Sequence, residues 1–203
     1  MSIIDSLLDS IHRQGYAVLE NAVPQTLIER LLADCQSRQP DFKAAGIGRQ
    51  QDLQLNSAVR KDKTLWLDGG NETQQDFLSL MNDIRQSVNR HFYMGLFDYE
   101  CHYARYDSGD FYKKHVDAFK GRSNRVFSTV CYLNTPAKGG ELLIYAEDGH
   151  EVVAKVTVKA GTLVVFESER FPHQVLPAKD QRYSIAGWFR TNNSVGGIVD
   201  PPS

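Results

Sequence analysis

The sequence predicts an α+β chain, in which helices of the first half support a β-sandwich or jelly roll in the second. Three observations predict it. Apolar residues recur at helical spacing in two stretches before about residue 95, and Pro24 marks the start of a further helix between them. After that point the pattern changes to short runs rich in β-branched and aromatic residues, punctuated by turn residues. The order, helices first and then six to eight short strands, is that of an α+β fold rather than of alternating βαβ units.

The elements follow in order. Ile3, Ile4, Leu7, Leu8 and Ile11 trace one helical face, and Gly15 is a stop signal. Residues 16–19 read as a short strand, and Pro24 opens a helix that runs to about Gln36. Residues 37–60 are polar and glycine-punctuated without a strong period. They are expected to form a long loop, and a long loop in a compact domain is more often functional than idle, which makes it a candidate lid. Residues 64–67 read as a strand. Phe77, Leu80, Met81, Ile84 and Val88 then mark an amphipathic helix over 73–92. Strands are predicted at 99–106, 125–133, 141–145, 151–158, 162–166 and 183–189, with turns at Asp107-Ser-Gly109, Gly139-Gly140, Asp148-Gly149 and Ala160-Gly161. The tail, 191–203, is polar and glycine- and proline-rich, and is expected to be loose. The whole chain is expected to form a single domain, with helical support over about 1–95 and the β core over about 96–190.

Composition narrows the classes of function. The 203 residues are 41% hydrophobic and 24% charged, which excludes wholesale disorder. A net charge of -2 supplies no general attraction for nucleic acid, although Lys113, Lys114, Lys120, Arg122 and Arg125 suggest a local basic patch. No apolar run approaches the ~18 residues of a membrane span, and the first residues lack the pattern of a secretory signal. Cys35, Cys101 and Cys131 form no CxxC pair and no disulfide framework, so a reducing cytoplasm is expected.

The chemistry begins at His115-Val-Asp117. Residues two apart on a strand point to the same side, so this pair at a strand end presents an imidazole and a carboxylate to one point. Alone it is weak, since a surface histidine beside a solvated aspartate gives the same tripeptide. His173 changes the weighing, because it follows another predicted strand and can enter the same pocket. Two histidines and one carboxylate match the facial triad of non-heme Fe(II) oxygenases, which leaves the opposite metal positions open. A structural zinc site is disfavoured, since no cysteine joins the set.

Arg182 lies nine residues beyond His173 and opens the last strand, where alternation puts it on one face with Ser184, Ala186 and Trp188. Its planar fork suits a bidentate grip on a carboxylate. Tyr132, on the strand 125–133, can share that carboxylate, although a strand tyrosine is as readily a packing residue. The charges are consistent. Fe(II) with Asp117 and a dicarboxylic oxo acid such as 2-oxoglutarate leaves one negative charge, which Arg182 neutralises in a buried site.

Together these residues resemble the Fe(II)/2-oxoglutarate-dependent dioxygenases, and among them the prolyl 4-hydroxylases of the hypoxia-inducible-factor prolyl hydroxylase type and their bacterial counterparts. The resemblance covers roughly 60–190. It is carried by Val59-Arg60-Lys61-Asp62-Lys63-Thr64-Leu65-Trp66, the segment from Tyr106 to Asp117, Val130-Cys-Tyr-Leu-Asn134, Gly139-Gly-Glu-Leu142, Pro172-His173, Val175, Pro177-Ala178, Arg182-Tyr183 and Trp188. It implies a double-stranded β-helix, with His115, Asp117 and His173 as iron ligands. Arg182 and Tyr132 would hold the distal carboxylate of 2-oxoglutarate, and Tyr106 would lie near the cosubstrate or the target proline. Trp188 would wall the target proline, and Arg60 and Asp62 would belong to the region of the substrate-covering hairpin. The implied activity is protein prolyl 4-hydroxylation with Fe(II), O2 and 2-oxoglutarate, releasing succinate and carbon dioxide, with ascorbate as a candidate reductant. The implied partner is a protein bearing the target proline, and bacterial relatives point to translation elongation factor Tu.

Two other classes compete. A small-molecule hydroxylase would use the same cofactors, since a triad does not fix the substrate. A non-catalytic jelly-roll sensor module that kept a metal site is favoured by an incomplete triad or a missing arginine, and neither is seen. Nucleic-acid repair is disfavoured, because base dealkylases of this superfamily usually carry a further arginine six residues after the anchor, where this chain has Trp188.

Overall fold

The computed structural model describes residues 2–46, 56–118 and 124–191. Its elements begin with helix α1 (Ile3–Gln14), strand β1 (Tyr16–Leu19) and helix α2 (Gln25–Ser37). Ser2 caps α1 reciprocally: its hydroxyl accepts from the Asp5 N–H, and the Asp5 carboxylate accepts from the Ser2 N–H. Gly15 ends the helix at φ 80°, a left-handed conformation that favours glycine. Short strands β2 (Lys43–Ala44) and β3 (Lys63–Trp66) precede the long helix α3 (Glu72–Phe92), whose first turn is capped by the Asn71 side chain. The β-rich half then contains β4 (Leu96–Tyr106), β5 (Tyr112–His115), β6 (Arg125–Tyr132), β7 (Leu142–Tyr145), β8 (Val152–Val156), β9 (Leu163–Glu167), β10 (His173–Val175) and β11 (Arg182–Thr191).

These strands form two antiparallel sheets, a larger one in the order β1-β9-β6-β11-β4-β3-β2 and a smaller one in the order β5-β10-β7-β8. Alternation divides the larger sheet into two faces. One carries Tyr103, Phe127, Cys131, Leu163, Val165, Ile185 and Phe189, which share a core with Leu7, Ile28, Leu31, Phe77 and Met81 of the helices. The other carries Ala104, Tyr106, Tyr132, Val164 and Phe166, which meet Leu142, Ile144, Val156 and Val175 of the smaller sheet and its flanks. This is the double-stranded β-helix, with helices packed on its outer face. Asp34 pins helices to sheet, accepting from Tyr103 Oη at 2.7 Å, Gln74 Nε2 at 3.0 Å and Asn71 Nδ2 at 2.8 Å. Among the described residues no helix is long and apolar enough to cross a membrane.

Four expectations change. The stretch 37–60 is not loop throughout: Gln39–Asp41 form a 3-10 turn, β2 pairs with β3, and Arg60 bridges to Tyr112. Residues 47–55, the middle of the candidate lid, lie outside the described residues, as does the tail beyond Thr191. Strand β4 begins three residues earlier than its polar start suggests, because Leu96 is buried and Asp98 is bonded by Arg190. The pair His115 and Asp117 does not share a strand, since β5 ends at His115 and Asp117 sits in the bend that follows. Finally, Arg125 is no part of a solvated basic patch: it bonds Glu100 at 2.9 Å and lies 3.5 Å above the Trp188 ring.

Candidate active site

The smaller sheet brings the two histidines together. His173 and His115 are direct partners in the β10–β5 register, so their imidazoles are cross-strand neighbours with ring centroids 4.2 Å apart. The bend after β5 then turns the Asp117 carboxylate back between them, 3.5 Å from each Nε2. One donor atom from each residue lies within 4.8 Å of the others, a set able to hold one metal ion.

The surroundings fix how each donor faces. His115 Nδ1 bonds the Lys113 carbonyl at 2.7 Å and His173 Nδ1 bonds the Phe171 carbonyl at 3.1 Å. A carbonyl accepts only, so Nδ1 carries the proton in both rings and Nε2 presents a lone pair to the centre. Asp117 Oδ2 accepts from Ser128 Oγ at 2.6 Å and from Trp188 Nε1 at 3.0 Å, and Ser168 supports Ser128 at 2.9 Å. Burial opposes ionisation of Asp117, but His173, His115 and the Ser128 hydroxyl outweigh it and hold its carboxyl well below the usual range. Burial, with His115 beside it, lowers His173 to about 4. An ionised carboxylate beside a neutral imidazole is the protonation state that a divalent cation requires.

The second half of the site is a buried cation with no carboxylate partner among the described residues. Arg182 is 1% exposed and stands opposite Tyr106 in the β11–β4 register. Its Cζ lies 4.6 Å from the Tyr106 ring centroid and 5.0 Å from that of Tyr132. Arg182 Nε and Nη1 and Tyr132 Oη are all buried with no hydrogen-bond partner among the described residues. Leaving such donors unmet is costly, most of all for a charged group. A carboxylate would satisfy all three, and the oxo acid end of 2-oxoglutarate would fit the oxygen- and nitrogen-rich metal set. Gly140 makes room for the arginine: at φ +78°, a Cβ there would stand 3.2 Å from Arg182 Cδ.

The remaining residues named from the sequence gather at the rim. Arg60 binds Asp62 through two N–H groups, Nε to Oδ1 at 2.8 Å and Nη2 to Oδ2. It also lies 4.2 Å over Tyr112, which stacks on His115. Trp188 packs beside His102 and Trp66, with centroids 5.4 and 6.3 Å away. Sequence reasoning missed Ser128, His102 and the part played by Trp66. The signal for Ser128 was present, since it lies four residues before Tyr132 on one strand and therefore on the same face. His102 stands four residues before Tyr106 in the same relation.

Comparison with known proteins agrees with this geometry. The family described as the 2OG-Fe(II) oxygenase superfamily matches residues 101–190. The chain is 33% identical to human Egl nine homolog 1 over 144 residues, which are 64% of this chain but only 33% of that protein. It therefore spans about a third of the length of that relative. A prolyl-4-hydroxylase from Pseudomonas putida superposes with a TM-score of 0.84 at 33% identity, covering 94% of this chain and 100% of the other. A Trichoplax adhaerens prolyl hydroxylase, solved with a hypoxia-inducible-factor peptide, shares the fold at a TM-score of 0.78 and 22% identity, over 93% and 89% of the two chains. With the P. putida enzyme 33% identical and matched along its full length, and with a His-Asp-His donor set facing a buried arginine that has no carboxylate partner among the described residues, the chain belongs to the 2OG-Fe(II) oxygenase superfamily as a prolyl 4-hydroxylase-like dioxygenase of Fe(II), 2-oxoglutarate and O2.

Proposed function

We propose that this protein hydroxylates a prolyl residue of a protein substrate, with elongation factor Tu as the candidate target, in a reducing cytoplasm suited to its three buried free thiols. The observation that carries the reading is the pairing of two features on facing sheets: a His-Asp-His donor set, and a buried Arg182 whose Nε and Nη1 lack partners. Likeness to the P. putida prolyl-4-hydroxylase over its whole length supports prolyl substrates.

In this reading His115, Asp117 and His173 hold Fe(II). Arg182 and Tyr132 bind the distal carboxylate of 2-oxoglutarate, with Tyr106 packed against the arginine. When bound, the iron supplies oxygen activation coupled to 2-oxoglutarate decarboxylation. The chain supplies position and dryness. Ser128 and Trp188 orient Asp117, and the carbonyls of Lys113 and Phe171 hold the two imidazoles. The apolar residues between the sheets exclude water from the cosubstrate. Trp188 walls the substrate side, and the Arg60–Asp62 pair fixes the chain next to the substrate-covering segment.

The test is anaerobic loading with Fe(II) and 2-oxoglutarate, then exposure to air with proline-containing peptides that include elongation factor Tu segments. Mass spectrometry showing one added oxygen on proline, with matching succinate, is the expected outcome. Succinate without peptide oxidation would redirect the site to a small-molecule substrate. Neither product from iron-containing protein would leave a non-catalytic module.

A further inference from the structure

On the substrate side of Asp117 lies a corner that metal and cosubstrate binding do not account for. Trp66 of β3 and His102 of β4 are direct partners across the sheet, with ring centroids 5.1 Å apart. Trp188 of β11 closes the triangle, 5.4 Å from His102 and 6.3 Å from Trp66. The corner touches the chemistry through Trp188, whose Nε1 bonds Asp117, and it opens to solvent through Trp66, which is 40% exposed. His102 at its base is 5% exposed, and its Nδ1 is buried without a hydrogen-bond partner among the described residues. A leucine would fill that space with no unmet polar atom, so packing alone does not explain a histidine there.

We propose that His102 is a substrate-binding, specificity-determining residue, which donates from Nδ1 to a backbone carbonyl beside the target proline while the proline ring packs on Trp66 and Trp188. The inference rests on the prolyl-hydroxylase reading for the identity of the substrate. The chemistry of proline selects the donor. A prolyl residue has no N–H, so at that residue the backbone offers only a carbonyl acceptor, which a donor can meet. Its ring is apolar and suits indole faces, as in other proline-binding aromatic grooves. Burial, reinforced by Arg60, lowers His102 to about 4, so at neutral pH the ring is uncharged and has one N–H to give.

The chain's two tryptophans are the two in this corner, so intrinsic fluorescence reports on it directly. The protein, loaded anaerobically with Fe(II) and 2-oxoglutarate, is titrated with a proline-containing peptide. The wild type is expected to respond, and His102→Leu to bind about tenfold more weakly, the worth of one buried hydrogen bond. His102→Asn, which keeps a donor, is expected to recover much of that loss. Thermal unfolding of His102→Leu should occur no lower than in the wild type, because the orphaned nitrogen is gone. Equal affinity in His102→Leu overturns the proposal, as does equal weakening in both variants accompanied by a lower melting temperature. A wild type whose fluorescence ignores the peptide overturns it too, even if the peptide is oxidised. Binding with a fluorescence response but no oxidation would instead sink the proposed reaction and leave the seat standing.

Discussion

Trp188 Nε1 donates to Asp117 Oδ2 at 3.0 Å, so a residue near the middle of β11 in the larger sheet holds the carboxylate that follows β5 of the smaller one. The same oxygen accepts from Ser128 on β6. The donor set is therefore not a property of the smaller sheet alone. Two strands of the larger sheet fix the direction of its only acidic member.

Removing these donors should loosen the metal while leaving all three ligands in place. Ser128→Ala and Trp188→Phe are each expected to weaken Fe(II) binding by roughly 10- to 100-fold, the usual cost of losing a partner that orients a ligand. Anaerobic Fe(II) titration measures this directly. Wild-type affinity in both variants would show that Asp117 is held well enough by its own turn.

Arg182 sets stability against activity. In the absence of a carboxylate it is a buried cation with two unmet N–H groups, so Arg182→Met should be at least as resistant to heat as the wild type without cosubstrate. Adding 2-oxoglutarate should raise the melting temperature of the wild type and not of the variant, and the variant's 2-oxoglutarate requirement should rise by roughly 10- to 100-fold or more, as for a lost charge-assisted bond. A cosubstrate-dependent shift that survives in Arg182→Met would place the anchor elsewhere.

Why some of this could be read from sequence and some could not follows from the period of a strand. Arg182, Ser184 and Trp188 share a face by alternation, whereas the place of Tyr132 beside them comes from the pairing of β6 with β11, which alternation alone does not give. Helices α1 and α3 were legible from their apolar spacing and end signals, Gly15 in one and the long Phe77–Val88 stripe in the other. Strand β5 was not legible: Tyr-Lys-Lys-His has no apolar alternation, and it is held by pairing with β10 rather than by its own composition. The bond to Asp117 was hidden for a related reason. Alternation puts Ser128 on the face of Tyr132, but nothing in the sequence says which carboxylate, eleven residues away, its hydroxyl meets.

The Arg60–Asp62 pair is a stability test at the rim. Asp62 is 1% exposed and bonds two nitrogens of the guanidinium, which is itself stacked over Tyr112. Asp62→Asn keeps the shape and removes the charge, leaving a largely buried arginine unpaired. The expected cost is about 3 kcal/mol, or roughly 6 to 12 °C in melting temperature for a chain of this size. Tyr112 stacks on His115, so the loss should also reach the metal site as weaker Fe(II) retention. A melting temperature within 1 or 2 °C of wild type, as a rough bound, would mean that water already screens the pair.

His102 should impose a pH dependence with a definite sign. Its pKa in the fold is lowered from 6.5 to about 4 by burial and by Arg60 and Arg125, against the opposing pull of Asp62 and Asp117. The unfolded chain therefore takes up the proton first as acid is added. The stability tied to a neutral His102 is complete above about pH 6.5, falls as pH drops from there toward 4, and changes no further below that. Within the window the slope approaches about 1.4 kcal/mol per pH unit. His173 titrates over the same range but is present in both proteins, so the difference between wild type and His102→Leu isolates one imidazole. Denaturant midpoints of the metal-free proteins, measured from pH 7.5 down to 4.5 in half-unit steps (roughly the width that resolves one titration), should move in favour of the variant as pH falls. Parallel curves would mean that His102 is as easily protonated in the fold as in the unfolded chain, and that the corner between Trp66 and Trp188 is open enough to admit water to its base.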